Sequence, residues 1–281
     1  MARSLTDLPD LQIVPLSSLL LHERFDETRA YPLVDRLQSD GVLKNPPIVL
    51  SAGEHGTRYV VLDGANRTTA LRLMGMPHVL VQVVHAGDSS VRLETWNHVV
   101  TCVDEARLHE ALLRHPDLAL VPSDAERASF HLSTGASLAY LAWRGGEVQE
   151  IVGETRPLSW QMRNLNQLVD ALRQVCSLDR TTQVRVQAVQ PLYEDFVGLV
   201  VYPRFELEAV VSAAAGGWHF PAGLTRFVIS PRALRVNYPL DRLGAPIAQE
   251  VKQESLADWL KQAVNRRRVR YYAEATYLFD E

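Results

Sequence analysis

Residues 59–76 read YVVLDGANRTTALRLMGM, and this stretch sets the fold class. The run 59–62 is apolar and rich in β-branched residues, as a buried strand requires. Asp63 and Gly64 break it with a turn pair. From Asn66 and Arg67 onward, the apolar residues Ala70, Leu71, Leu73 and Met74 recur at helical spacing. Strand, tight turn and helix in that order predict an α/β protein. The turn is also a candidate anion site. A helix N-terminus carries unpaired N–H groups and partial positive charge that favour an anion by up to about 1–2 kcal/mol, and Arg67 adds a forked donor suited to phosphate. An ordinary turn followed by a first-turn surface arginine has the same residues, and 59–76 alone does not choose between the two.

Upstream, 11–14 reads as a short strand, and 32–39 as a helix with Leu33, Val34 and Leu37 on one face and Asp40-Gly41 closing it. Pro46-Pro47 opens a strand at 48–50, and 79–84 is another. Together they make a compact α/β unit, placed at 1–103.

The remainder, 104–281, reads as a larger mixed α/β unit. Helical spacing runs over 104–115, 158–176, 206–215 and 255–264, the last with a possible continuation through the basic run 266–270. Strands are expected at 118–121, 137–143, 147–152, 184–189, 198–202 and 271–279. Arg144-Gly145-Gly146 joins two of them as a hairpin, and 225–230 with 233–237 resembles a second hairpin.

Composition narrows the function classes. The chain has 281 residues, 47% hydrophobic and 22% charged, as in an ordinary globular protein. Lysine and arginine total 29 against 33 acidic residues, a net charge of -4, so there is no global basic field to hold nucleic acid. Cys102 and Cys176 form no CxxC pair and read as buried structural thiols, with no zinc-ligand cluster. The N-terminal segment carries acids and prolines unlike a signal peptide, and no run approaches the roughly 18 apolar residues of a membrane span. The cytoplasm is the expected location.

Three segments then carry a family resemblance. HER at 22–24, followed by a helix, a Pro-containing strand and VLDGANR at 61–67, resembles the ParB N-terminal/sulfiredoxin-like superfamily. Trp96-Asn97-His98, GLTRFVISPRALRVNYPL at 223–240 and RYYAEATYLFDE at 270–281 resemble its free L-serine kinase branch. Residues 104–216 match no motif. Sulfiredoxin places a cysteine within its version of the DGANR turn, where this chain has Ala65; the ParB proteins add a helix-turn-helix that the mid-chain does not display.

The resemblance implies a kinase that moves the terminal phosphate of ATP or ADP to the hydroxyl of free L-serine, in a cleft between the two units. Its product would feed cysteine or diaminopropionate synthesis. Glu23 is implied as the base, ionised at neutral pH at an unperturbed pKa of about 4.3. Asp63 suits Mg²⁺ as one carboxylate beside phosphate oxygens, and Gly64, Ala65, Asn66, Arg67 and Thr68 would hold the phosphates. Trp96 would wall the serine pocket, Asn97 and His98 would supply polar contacts, and Thr225 and Arg226 would reach in from the C-terminal segment. One position departs from the branch: a histidine is expected after Thr225-Arg226, and Phe227 stands there. Either His219 or His98 compensates, or the acceptor differs. The alternative class is a ParB-like nucleotide-binding regulator without phosphoryl transfer.

Overall fold

The computed structural model describes residues 8–52, 57–101 and 105–272. Its N-terminal strands are β1 (Leu11–Pro15), β2 (Leu19–Leu21), β3 (Val42–Leu43), β4 (Ile48–Ala52), β5 (Arg58–Asp63) and β6 (His78–Val84), with helices α1 (Glu27–Asp40) and α2 (Ala65–Leu73) between them. Five strands form a mixed sheet in the order β1-β6-β4-β5-β2. Pairings β6–β4 and β5–β2 are parallel; the others are antiparallel. The strand, turn and helix expected over 59–76 are present as β5, Gly64 and α2.

This sheet is buried on both faces, which explains why its strands are continuously apolar rather than alternating. Val49 and Val61 point to one side, where they pack with Leu37, Ala70 and Leu71 of α1 and α2. Ile48, Leu50, Val60 and Leu62 point to the other side, into a core shared with the second half of the chain.

That half contains β7 (Val91–Thr95), β8 (Asn97–Thr101), α3 (Glu105–Leu113), β9 (Ala119–Ser123), α4 (Ala125–Thr134), β10 (Ala139–Trp143), β11 (Val148–Val152), α5 (Leu158–Val175), β12 (Ser177–Thr181), α6 (Val186–Val189), β13 (Phe196–Val201), α7 (Leu207–Gly216), β14 (Thr225–Ile229), β15 (Tyr238–Pro239), α8 (Leu240–Gly244) and α9 (Gln249–Asn265). Six strands form an antiparallel sheet, β12-β8-β13-β10-β11-β9. Leu165, Leu168, Val169 and Leu172 of α5 fill the core between the two sheets. The chain then returns to the first sheet, where Tyr238, Leu240, Leu243 and Leu256 join the α1/α2 cluster.

Several expectations are corrected. Residues 184–189 contain the short helix α6, not a strand. Residues 233–237 do not pair with β14; that strand pairs with β7, from Thr225↔Thr95 to Ile229↔Val91. Arg235 and Asn237 have positive φ, and their N–H groups bond Asn45 Oδ1 and Lys44 O instead. A ladder partner 130 to 138 positions away competes successfully with a local hairpin, because β-propensity specifies no partner. Helix α9 ends at Asn265, with Arg267 at φ 54°, so 266–270 does not continue it. Tyr271 and Tyr272 lie in no strand; 273–279 lies outside the described residues, as does Cys102. Helix α1 begins at Glu27, five residues before the expected start, because Asp26 caps it by accepting from Thr28 N at 3.0 Å.

Among the described residues no helix is long and apolar enough to cross a membrane.

Candidate active site

The residues His22, Glu23 and Arg24 are gripped by a segment two hundred positions away. Phe220 N–H donates to His22 O at 2.8 Å, and Arg24 N–H donates to Phe220 O at 2.9 Å. Gly223 N–H donates to Glu23 Oε2 at 2.8 Å, and Thr225 Oγ1 lies 2.7 Å from His22 Nε2. The backbone fixes the tautomer: Val61 O can only accept, so His22 Nδ1, 2.5 Å away, carries the proton and Nε2 accepts from Thr225. Burial pushes the His22 pKa down to about 4, so the ring stays a neutral strut at physiological pH. Thr225→Val leaves that buried nitrogen without a donor and lowers folding stability by about 1–2 kcal/mol, measured by urea unfolding.

Glu23 keeps a solvent-facing edge but has protein on most sides. This desolvation pushes its pKa up to about 7, against the opposing pull of the Gly223 N–H and the Arg180 charge, with Asp63 adding to the rise. The sequence expectation of an unperturbed carboxylate is therefore corrected. The shift suits a base: a carboxylate titrating near neutrality is still ionised in large part and is far more basic than a surface glutamate.

Gly64 is the N-cap of α2 at φ 101°. A Cβ there would stand 3.1 Å from Pro47 Cα and 3.2 Å from Arg67 Nη2, so both the backbone angle and the space call for glycine. The N–H groups of Ala65, Asn66 and Arg67 are the unpaired ones of the first turn. Asn66 Oδ1 accepts from Asp26 N at 2.9 Å, tying the starts of α1 and α2 together. The Arg67 guanidinium binds Asn45 O at 2.6 Å and Asp63 Oδ2 at 3.3 Å, so it braces the turn. Arg232 also binds Asp63 Oδ2. Thr68 offers neither group to an anion: its side chain is fully buried, and its N–H already donates to Gly64 O at 2.9 Å.

Thr225 and Arg226, adjacent on β14, point to opposite faces of the strand. Thr225 turns to His22. Arg226 pairs with Glu94 Oε2 at 3.0 Å and stacks over Trp96, 4.5 Å from the ring centroid. Asn97 and His98 are buried, 4% and 2% exposed. Asn97 Nδ2 donates to Gln183 O, and its Oδ1 accepts from Tyr202 N. His98 Nδ1 lies 3.0 Å from Tyr202 Oη, and burial together with Arg173 and Arg180 pushes its pKa down to about 3. Both side chains are thus engaged inside the protein, Asn97 through its Nδ2 and Oδ1 and His98 through its Nδ1. Phe227 sits edge-on to His22 at 5.5 Å, while half-buried His219 is near enough to His22 to repel its charge.

No family model matches the chain. It is 27% identical over 273 residues to the ATP-dependent L-serine kinase SbnI of Staphylococcus aureus (strain NCTC 8325 / PS 47), a match that spans 96% of this chain and 97% of that protein. The solved structure of SbnI with a C-terminal truncation superposes with a TM-score of 0.72 at 25% identity, over 90% of this chain and 96% of that one. The chain is thus similar over nearly its whole length to an L-serine kinase, in sequence and in fold. A free serine kinase in complex with AMP has the same fold at 16% identity, with a TM-score of 0.70 over 84% of this chain and 96% of that one.

The structure adds residues near Glu23 that the sequence did not single out. Arg180 of β12 and Arg173 of α5 act electrostatically on each other, and Arg180 also acts on Glu23, Asp26 and Arg29. Arg173 donates to Ala222 O at 3.1 Å. Both lie in the stretch 104–216 that matched no motif. The one available signal was two arginines, seven positions apart, flanking the end of an amphipathic helix, which is ordinary surface patterning.

Proposed function

We infer that the protein is an ATP-dependent L-serine kinase: the L-serine hydroxyl attacks the γ-phosphorus of ATP, the bond to the ADP leaving group breaks, and Glu23 takes the hydroxyl proton. The observation that carries this reading is the Glu23 carboxylate, pushed up to about 7 and held on the Gly223 N–H in a chain similar over nearly its whole length to an L-serine kinase. Phosphoryl transfer demands alignment and charge neutralisation more than covalent chemistry from the protein. The amides of Ala65, Asn66 and Arg67 at the start of α2 supply donors for the phosphates, with Gly64 keeping the approach open.

Mg²⁺ fits Asp63 by donor chemistry. The ion usually takes one or two carboxylates and fills its remaining positions with phosphate oxygens and water, and among the described residues no cluster of three acids, histidines or cysteines is present to form a protein cage. Bound there, it would neutralise phosphate charge. Arg232, now on Asp63 Oδ2, is a second cation at the same carboxylate.

We place the phosphate half of the site in the 1–103 unit, read as ParB/sulfiredoxin-like, and the completing wall in 104–281. Arg226 forms part of that wall, stacked on Trp96 of the 1–103 unit, with Asn97 and His98 of the 1–103 unit bonded to Tyr202 behind it. ATP within the cytoplasm is the proposed donor.

Incubation with Mg²⁺, L-serine and either ATP or ADP tests the reading. O-phospho-L-serine formed with ATP supports it; no product with either nucleotide overturns it. Phe227→His addresses the family departure. Its ring sits beside His22 on the Glu23 side of β14, so an imidazole there should change KM for L-serine by about threefold to tenfold with little change in KM for ATP. An unchanged KM for serine would mean that position 227 packs against His22 without meeting the acceptor.

A further inference from the structure

Free serine differs from a seryl residue in a polypeptide by its free ammonium and its carboxylate, of which the carboxylate suits an arginine, and each arginine near Glu23 can be judged by what already occupies it. Arg226 is paired with Glu94 and stacked on Trp96. Arg67 and Arg232 are on Asp63. Arg24 pairs with Asp170 at 2.9 Å, and Arg173 donates to the Ala222 carbonyl. Arg180 alone of this group has no hydrogen-bond acceptor or ion-pair contact among the described residues. Its guanidinium lies against Gly223: a Cβ built on that glycine would fall 1.8 Å from Nη2 and 2.3 Å from Cζ. The N–H of the same residue holds Glu23.

We propose that Arg180 binds the carboxylate of the amino-acid acceptor and so makes the site selective for a free amino acid. The proposal rests on the serine-kinase reading. If Glu23 takes the hydroxyl proton, the substrate carboxylate must lie within the few bonds that separate it from that hydroxyl. Arg180 faces Glu23 across one glycine, whereas the phosphate amides belong to α2 on the other sheet. A planar guanidinium with open donors matches a carboxylate in two parallel hydrogen bonds. Arg173 and Arg29 crowd Arg180 with like charge, a repulsion that a bound anion relieves.

The test compares L-serine with L-serinamide, which keeps the hydroxyl and amine but lacks the anion, in the wild-type enzyme, Arg180→Ala and Arg180→Lys. Arg180 is exposed, so both variants should fold. For Arg180→Ala, KM for L-serine should rise roughly 30-fold, the preference for L-serine over L-serinamide should largely vanish, and KM for ATP should stay within about threefold. Arg180→Lys keeps the charge but loses the fork, so it should recover only part of the preference. A raised KM for ATP with serine discrimination intact would assign Arg180 to the phosphates. A change confined to kcat and to the pH at which activity appears, fully rescued by lysine, would assign it to the ionisation of Glu23. Either result overturns the proposal while leaving the kinase reading intact. Wild-type enzyme that phosphorylates no serine overturns both.

Discussion

Glu23→Gln lowers the turnover of L-serine by about 10³-fold while nucleotide affinity stays within about threefold. Glutamine preserves the shape, and its amide oxygen can still accept from the Gly223 N–H that holds Glu23 Oε2 at 2.8 Å. What disappears is the capacity to take a proton in the transition state, for which general bases typically contribute 10²–10⁴-fold. A substitution acting through misfolding would reduce nucleotide binding and turnover together, so measuring both by titration and phosphoserine assay separates the two cases. The wild-type pH profile carries the same information. As the proposed base Glu23 would work in its ionised form, and burial raises its pKa to about 7. Activity should therefore rise with pH up to about 7 and level off above it, falling about tenfold for each pH unit below. A carboxylate left at its usual value would put that limb more than two units lower. Finding it there would show that Glu23 is solvated in the working enzyme.

Asp63→Asn weakens Mg²⁺-dependent nucleotide binding by about 100-fold and leaves any metal-independent binding nearly unchanged. The carboxylate sits at the end of β5, with Arg67 Nη2 at 3.3 Å and Arg232 on the same oxygen. Asparagine keeps the volume and an oxygen for these arginines but removes the charge that a hard cation needs. Titration of nucleotide with and without Mg²⁺ reads the difference. Equal losses in both conditions would make Asp63 a brace for Arg67 and Arg232 instead of a metal ligand.

The two carboxylates were not equally legible in the sequence. Asp63 stands in an uninterrupted local motif, where apolar run, Asp-Gly and helical spacing report on one another within eighteen residues. Glu23 lies outside any regular element and was reached through the family resemblance. Its environment was out of reach, because it depends on distant residues such as Gly223, Arg180 and Asp63 and on burial in the folded chain. The same limit explains the errors at 184–189 and 233–237, where local β-propensity was read without knowledge of a partner. It explains Asn97 and His98 as well. Their partners Gln183 and Tyr202 lie more than eighty positions away, so the burial and bonding of these two side chains could not be read locally.

The sequence by itself determined the α/β class, the strand, turn and helix that expose the first-turn amides of α2, the glycine at position 64, and the absence of a thiol at Ala65. These follow from periodicity, backbone angle and residue chemistry, which act over a few positions. Only the tertiary structure decided that β7 takes β14 as its partner, that Thr225 and Arg226 face opposite ways, and that Gly223 stands between Glu23 and Arg180. It alone decided that Glu23 titrates near neutrality. Those features depend on which distant segments share a core and exclude water from a charge, and neither pairing partner nor dielectric environment is written in local residue order.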